Sequence, residues 1–269
     1  MSDLNFKCQI TIEKIYDWII ANRLSLNLDK TCYMIFAPST LHASSADLTL
    51  TINGIPLPRV KTTKYLGLVI DDKLDWISHI QDLCTLLRKY IGIFYKLSLK
   101  LPAKILNMLY FSLIYPRLLY GIEVYANTYL CHLHNLIVLN NRILRIIQHK
   151  SLMASTISLY SSLNTLPVDK LFKYQILLHA HNIFFGSKLL PSFFHSNYFF
   201  NSDVHTHFTR STDDFHRNSF NTTFGSKISY NLYSRLWNSL PTHIKSISSL
   251  SIFEKYLRPT CLQIPYSSK

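Results

Sequence analysis

The chain changes character within residues 63–83, TKYLGLVIDDKLDWISHIQDL. The first half of this stretch belongs to a region rich in strand-forming residues. Its second half opens the segment ISHIQDLCTLLRKYIGIFYKLS, residues 77–98, which reads as a helix that carries basic residues. We therefore expect strands before Trp76 and helices after it.

The sequence on either side of this change predicts an order of elements. Before it, the sequence predicts a helix ending near Asn22, a half-buried strand TCYMIFA (31–37), and two strands, DLTLTI (47–52) and TKYLGLVI (63–70), with a turn at Asn53-Gly54. After it come helices in 77–98, in 101–127 with a kink or break at Pro116, in 130–148, and two more before 187. Two short helices are predicted in 229–240 and 249–258. The expected fold class is α+β, with strands first and helices after.

Composition favours a polyanionic partner. The 269 residues include 28 Lys and Arg against 15 Asp and Glu, a formal charge of +13. Such a balance favours nucleic acid first and an anionic membrane surface second. Only 6 glycines are present, which argues against glycine-rich phosphate loops.

The remaining composition excludes several classes of protein. The five cysteines are widely spaced and form no CxxC pair, so neither a disulfide framework nor a zinc knuckle is expected. No uninterrupted apolar run has membrane-spanning length, and the N-terminus lacks the apolar core of a signal peptide. We expect no stable membrane insertion and an intracellular protein, nuclear or cytoplasmic rather than secreted.

Asp71-Asp72 raises the question of catalysis. Adjacent carboxylates after an apolar run are typical of a two-metal polymerase site. Such a site also needs a third carboxylate from another strand, and the sequence offers no evident candidate. The alternative is a solvated strand end before the Trp76 helix.

Several segments, taken in order, resemble reverse transcriptases of non-long-terminal-repeat retrotransposons, in the jockey-like and chicken-repeat-like LINE group. The strongest are NRLSLNLDKTCYMIF (22–36) and INGIPLPRVKTTKYLGLVIDDKLDWISHI (52–80). The similarity continues through 99–121, 139–147, 208–220 and 236–257.

The resemblance implies a C-terminal portion of such an enzyme. It suggests a late palm remnant with a lysine motif and a primer-grip hairpin in 1–75, a thumb-like helical domain in 76–150, C-terminal helices in 151–187, and a weakly ordered region with short helices in 188–269. The family's catalytic aspartate hairpin precedes the LSLN segment, so Asp71-Asp72 stands in the wrong order to replace it. We therefore expect a fragment of an RNA-directed DNA polymerase that is inactive alone and holds no metal. Mg²⁺ belongs to the intact family enzyme, and an upstream polymerase segment is a possible partner.

The resemblance also nominates residues. Lys30 matches the lysine thought to neutralise departing pyrophosphate, and it is otherwise a surface lysine capping a strand. Lys64, Tyr65 and Gly67 match the primer-grip hairpin, against the alternative of a buried strand with a bulge at Gly67. A set of helical cations would contact the phosphates of an RNA/DNA template–primer duplex, or would simply be solvated: Arg88, Lys89, Lys96, Lys100, Lys104, Arg142 and Arg145.

Two further functions stay open at this point. One is a residual or domesticated nucleic-acid-binding protein with no enzymatic role. The other is a basic, helical protein of the membrane surface. Binding to nucleic acid or to liposomes would separate them.

Overall fold

The computed structural model describes residues 2–36, 48–185, 198–204 and 214–263. The chain divides into two compact units, Met1–Gln81 and Asp82–Lys269, here called the N-terminal and C-terminal units. The part of segment 208–220 before Asp214 lies outside the described residues, as does the start of the predicted 188–269 region.

The N-terminal unit joins one long helix to short strands. Its elements are α1 (Ser2–Ala21), a one-turn 3-10 helix (Leu28–Lys30), β1 (Thr51–Ile52), β2 (Ile55–Pro56), β3 (Thr62–Tyr65) and β4 (Leu68–Asp71). The strands form two separate antiparallel pairs, β1 with β2 and β3 with β4.

One side of α1 covers the first hairpin. Apolar contacts join three helix residues to three buried residues around β1: Cys8, Ile12 and Tyr16 with Leu50, Ile52 and Leu57. The Gln9 side chain adds two hydrogen bonds, since its Nε2 donates to the Thr51 carbonyl at 2.9 Å and its Oε1 accepts from Thr51 N at 3.0 Å. The side-chain amide therefore pairs with β1 as a neighbouring strand would.

Both hairpins turn through two residues in the left-handed region. Asn53 and Gly54 have φ of 50° and 76°, and Leu66 and Gly67 have φ of 46° and 85°. Two consecutive positive φ values are the signature of the tight hairpin turn that matches strand twist. The turn predicted at Asn53-Gly54 is confirmed, whereas the single strand predicted over 63–70 is wrong, because it folds back at Leu66-Gly67.

Strand pairing is also shorter than predicted. In the predicted strand 31–37, pairing in the described residues is limited to a parallel bridge between Tyr33 and Arg59. Of the predicted strand 47–52, the described residues 48–52 include β1 at Thr51–Ile52, and the Leu50 carbonyl accepts from the Leu57 N–H at 2.8 Å. Small strands of this kind depend on the helix packed against them rather than on a large sheet.

The C-terminal unit is helical. After α2 (Ile77–Ser98), whose first turns lie in the N-terminal unit, come α3 (Ala103–Leu109), a π-helical turn (Tyr110–Ile114), α4 (Tyr115–Leu119), α5 (Ile122–Tyr125), α6 (Leu130–Ile147), α7 (Thr156–Ser162) and α8 (Val168–Phe184). Then follow α9 (Asn201–Val204), α10 (Thr223–Lys227), α11 (Ser229–Asn238), α12 (Thr242–Lys245) and α13 (Leu250–Gln263).

The chain stays helical through Pro116, where a kink or break was predicted. The π-helical turn precedes it, and the Tyr115 N–H donates to the Tyr110 carbonyl, five residues back. Proline has no N–H to donate and crowds the preceding turn, so a widened turn accommodates it without ending the helix.

The central helix of this unit is α8. It packs against α5, α6, α11 and α13. Trp237 of α11 and Phe253 and Leu257 of α13 have no solvent exposure. His181 of α8 lies 4.4 Å from Phe253 between ring centroids, and its Nε2 is 2.8 Å from the Ile247 carbonyl. Burial lowers the pKa of His181, although the bond to Ile247 opposes the shift.

The α+β fold class is confirmed, with helices predominating over two small antiparallel sheets. The two short helices predicted in 229–240 and 249–258 correspond to α11 and α13. The domain boundaries predicted after 150 and after 187 fall inside the single C-terminal unit. A region predicted to be weakly ordered thus contributes fully buried side chains to the core.

A buried polar network fixes α6 to its neighbours. Tyr110 donates to Asn140 Oδ1 at 3.1 Å, Asn140 Nδ2 donates to Tyr160 at 3.2 Å, and Tyr160 donates to Asn141 Oδ1 at 2.5 Å. Burial raises the pKa of the Tyr110 and Tyr160 hydroxyls, which stay neutral donors. Because a buried polar group is costly unless it is paired, this network holds α6, α7 and the π-helical turn in one arrangement.

Candidate nucleic-acid interface

Positive charge is concentrated in one part of the C-terminal unit. Residues 83–168 contain nine Lys and Arg and a single acidic residue, Glu123. Glu123 faces a histidine and not one of these cations, since its Oε1 lies 3.8 Å from His179 Nε2. Burial alone would raise the pKa of this carboxyl, but the nearby His179 side chain and a backbone hydrogen bond hold it below its usual value. The segment therefore has a large positive charge with little internal neutralisation.

Eight of the nine cations are exposed, and none of the eight forms an ion pair within the described part of the chain. They are Arg88, Lys89, Lys96, Lys100, Lys104, Arg117, Arg142 and Lys150. Six of them were nominated from the sequence. Arg117 and Lys150 were not, although the near absence of acidic residues from 83 to 168 is visible in the sequence and would have pointed to both.

The outer face of α2 carries three of these cations. Leu87 and Phe94 are fully buried on its inner face. Successive helix residues turn by about 100°, so Lys89 and Lys96, seven apart, share one side, and Arg88 lies beside them. Gly92 stands between them in sequence, and a Cβ added there would meet nothing within 4 Å. The face is thus open, basic and without a bulky side chain at its centre.

Lys100 and Lys104 continue the positive charge beyond α2. Lys100 lies in the turn after the helix, where its N–H donates to the Leu97 carbonyl at 2.9 Å. Lys104 is in the first turn of α3, after Pro102 at the N-cap. Both side chains are exposed, as their predicted role requires.

Arg145 differs from the other nominated cations. It is half-buried, and its Nη2 and Nε donate to the Ala154 carbonyl at 3.1 and 3.4 Å. The fork of the guanidinium therefore holds the loop that joins α6 to α7. The phosphate contact predicted for Arg145 would compete with its hydrogen bonds to the Ala154 carbonyl. Arg142, on the same helix, is exposed.

The N-terminal unit presents the nominated hairpin residues at a tip. Lys64 and Gly67 are exposed, and Tyr65 is 61% exposed in the β3–β4 hairpin. The alternative of a buried strand with a bulge at Gly67 is wrong, because Gly67 occupies the second position of the turn. Their contact with nucleic acid stays a prediction.

Lys30 lies at the end of the one-turn 3-10 helix and is exposed. The Asn27 side chain caps this turn by accepting from the Lys30 N–H at 3.2 Å. The structure therefore places Lys30 at the surface, beside a capped turn. Its proposed action on pyrophosphate is a prediction carried by the resemblance alone.

Asp71 is a buried turn-forming carboxylate, which corrects the expectation of a solvated strand end. It is 6% exposed. Its Oδ1 accepts from the N–H groups of Lys73 and Asp75 at 3.1 and 3.0 Å, and its Oδ2 accepts from Trp76 N at 2.8 Å. Both oxygens are thus engaged by the backbone that leads from β4 into α2. Asp72, by contrast, is half-buried.

This arrangement does not fit the magnesium site of the intact family enzyme. In the described residues, no group of three or more His, Cys, Asp or Glu side chains is placed to hold a metal ion. Within the same residues, no helix combines the length and the apolar character needed to cross a bilayer.

No protein-family model, curated protein or solved structure matches the chain. The resemblance to retrotransposon reverse transcriptases therefore rests on the quoted segments and their order.

Proposed function

We propose that the chain binds nucleic acid through its phosphates, using the exposed cations of 83–168. The observation that carries this proposal is the set of eight exposed cations on a segment with one acidic residue. Unpaired cations on one segment create a strong local potential that attracts a polyanion. The resemblance to reverse transcriptases motivates the further proposal that the ligand is an RNA/DNA template–primer duplex and that the chain is a fragment inactive by itself.

The mechanism is release of condensed counterions. Each Lys or Arg that meets a phosphate frees a cation from the nucleic acid, so the logarithm of affinity falls with the logarithm of salt by about 0.7 to 0.9 per contact. Phosphate contacts carry no sequence information by themselves. We expect steeply salt-dependent, nearly sequence-independent binding with a dissociation constant of about micromolar order.

The test is a titration of labelled RNA/DNA and DNA duplexes over a series of KCl concentrations. Changing Arg88, Lys89 and Lys96 together to Ala should weaken binding and flatten the salt slope by about two to three units. A matched variant changes three exposed lysines outside the segment, Lys7, Lys14 and Lys255. It removes the same charge and should leave the slope nearly unchanged.

Two results would contradict the proposal. One is the absence of binding at low salt. The other is an equal loss of affinity in both triple variants, which would mean that net charge alone, and not the α2 face, attracts the polyanion.

A further inference from the structure

The loop between α6 and α7 exposes an apolar tip. Ser151–Ala154 form a β-turn in which the Ala154 N–H donates to the Ser151 carbonyl at 3.0 Å. Its two central residues, Leu152 and Met153, are 68% and 94% exposed. Such positions usually hold Gly, Pro, Asn, Asp or Ser, which favour turns and water. Ile157, in the first turn of α7, is also 70% exposed.

Hydrogen bonds from residues before the turn to carbonyls after it tie the two ends of the loop together. Arg145 of α6 donates two hydrogen bonds to the Ala154 carbonyl. Gln148 Nε2 donates to the Leu159 carbonyl of α7 at 3.0 Å. The network of Asn140 and Tyr160 locks the two helices together beneath the turn. Leu152 and Met153 therefore project from a fixed support rather than from a loose loop.

The surroundings of the tip are basic. Lys150 precedes the turn and is exposed, and Arg142 is exposed on α6. Residues 124–168 contain no Asp or Glu. If a nucleic acid bound these cations through its phosphates, its bases would come close to the apolar tip.

We infer that Leu152 and Met153 form a wedge that enters between stacked bases of a duplex bound through the neighbouring cations. This inference rests on the proposed function and adds a second, apolar contact to it. Leu and Met are side chains that proteins insert at base steps to unstack and kink a duplex. The hydrogen bonds of Arg145 to the Ala154 carbonyl hold the backbone of the turn that presents both side chains, so less conformational freedom is lost when they enter a base step.

Arg145 is a positioning residue in this inference. It holds the turn through the Ala154 carbonyl and does not touch the ligand. This assignment differs measurably from a phosphate contact, because removing a phosphate contact lowers the salt slope by about 0.7 to 0.9 and removing a brace does not.

The experiment uses the full chain and a duplex that carries 2-aminopurine, whose fluorescence rises when its base unstacks. The unmodified chain should raise this fluorescence on binding. Changing Leu152 and Met153 to Ser should abolish the rise and weaken binding about tenfold, with the salt slope unchanged. Changing Met108 to Ser provides a matched control, since Met108 is 62% exposed on α3. It should alter neither reading.

A second pair of variants tests the bracing. Arg145→Lys keeps the charge but lacks the forked donor, and it should reduce the fluorescence rise. Arg145→Ala should do the same while leaving the salt slope unchanged. A slope that falls by about one unit in Arg145→Ala, with rescue by Lys, would identify a phosphate contact and overturn the positioning role.

Each remaining outcome is decisive. Binding by the unmodified chain without any fluorescence rise would overturn the wedge and leave the proposed function standing. Absence of binding would overturn both. The same variants are titrated with vesicles of phosphatidylcholine and phosphatidylserine, and a loss confined to vesicle binding would mean that the tip inserts into lipid instead.

Discussion

Asp71 and Asp72 are adjacent in the sequence and differ in their surroundings. The Asp71 carboxylate accepts three backbone N–H groups, whereas no hydrogen bond involves the half-buried Asp72 side chain in the described part of the chain. The turn that Asp71 organises includes Leu74 and Trp76, with φ of 55° and 64°. Positive φ is unfavourable for residues of this size, so the hydrogen bonds to Asp71 stabilise a backbone that would otherwise be strained.

We predict that Asp71→Asn destabilises the protein by about 2 kcal/mol. An amide offers one acceptor oxygen in place of two, and its NH₂ would face a backbone donor. Asp72→Asn is the matched control and should change stability by less than about 0.5 kcal/mol. Urea unfolding followed by tryptophan fluorescence measures both. Equal effects of the two substitutions would contradict the structural role of Asp71.

The sequence predicted the position of the Asp71-Asp72 pair at a strand end but not the burial of Asp71. Burial here depends on backbone N–H groups brought together by a turn with left-handed residues. Leucine and tryptophan give no sequence signal for such a conformation. The structural role of Arg145 was missed for a related reason, while its phosphate contact stays a prediction. Its helix position resembles that of Arg142, and only the loop folded against it distinguishes the two.

Among the secondary-structure elements, the periodic helices were predicted well and the short strands were not. The helix expected over 77–98 matches α2, because its apolar residues repeat over 22 residues. The strand pattern missed the β3–β4 hairpin, which only the resemblance implied, since its turn holds Leu66 in place of the Asn or Asp that usually precedes glycine there. Four-residue strands carry too little pattern to show where they end.

We predict that Gly92→Glu on α2 stabilises the fold and weakens nucleic-acid binding. Glycine inside a helix is unfavourable, and replacing it should raise the free energy of unfolding by about 0.5 kcal/mol. The new carboxylate would lie four residues from Arg88 and from Lys96, where it can pair with both. Binding should therefore weaken, and the salt slope should flatten by about one to two units.

Gly92→Lys is the control for charge at this position. It places a cation in the same open space, so binding should strengthen and the slope should steepen. The idea that the α2 face meets phosphate would be untenable if both substitutions left binding unchanged. Thermal unfolding of each variant separates changes in binding from changes in the fold.

Charge is distributed unevenly along the chain. The formal charge is +13, and residues 83–168 supply nine of the 28 Lys and Arg with only Glu123 among the acidic residues. The sequence alone gives this excess. The structure adds that eight of these cations are exposed and that Arg145 is engaged by a loop. A surface of like charges without pairing destabilises the compact state by self-repulsion.

This repulsion gives a last prediction, on stability in the absence of any ligand. Raising KCl from 0.01 to 0.1 M shortens the screening length from about 30 to about 10 Å, so the midpoint of thermal unfolding should rise. The variant with Arg88, Lys89 and Lys96 changed to Ala should be more stable than the unmodified chain at low salt, by about 0.5 kcal/mol, and the difference should shrink at high salt. The Lys7, Lys14 and Lys255 variant should show no such gain, because Lys7 pairs with Asp3 at 2.8 Å. If the Arg88, Lys89 and Lys96 variant were less stable than the unmodified chain at every salt concentration, these cations would contribute to folding. Their mutual repulsion would then no longer support a surface that binds a polyanion.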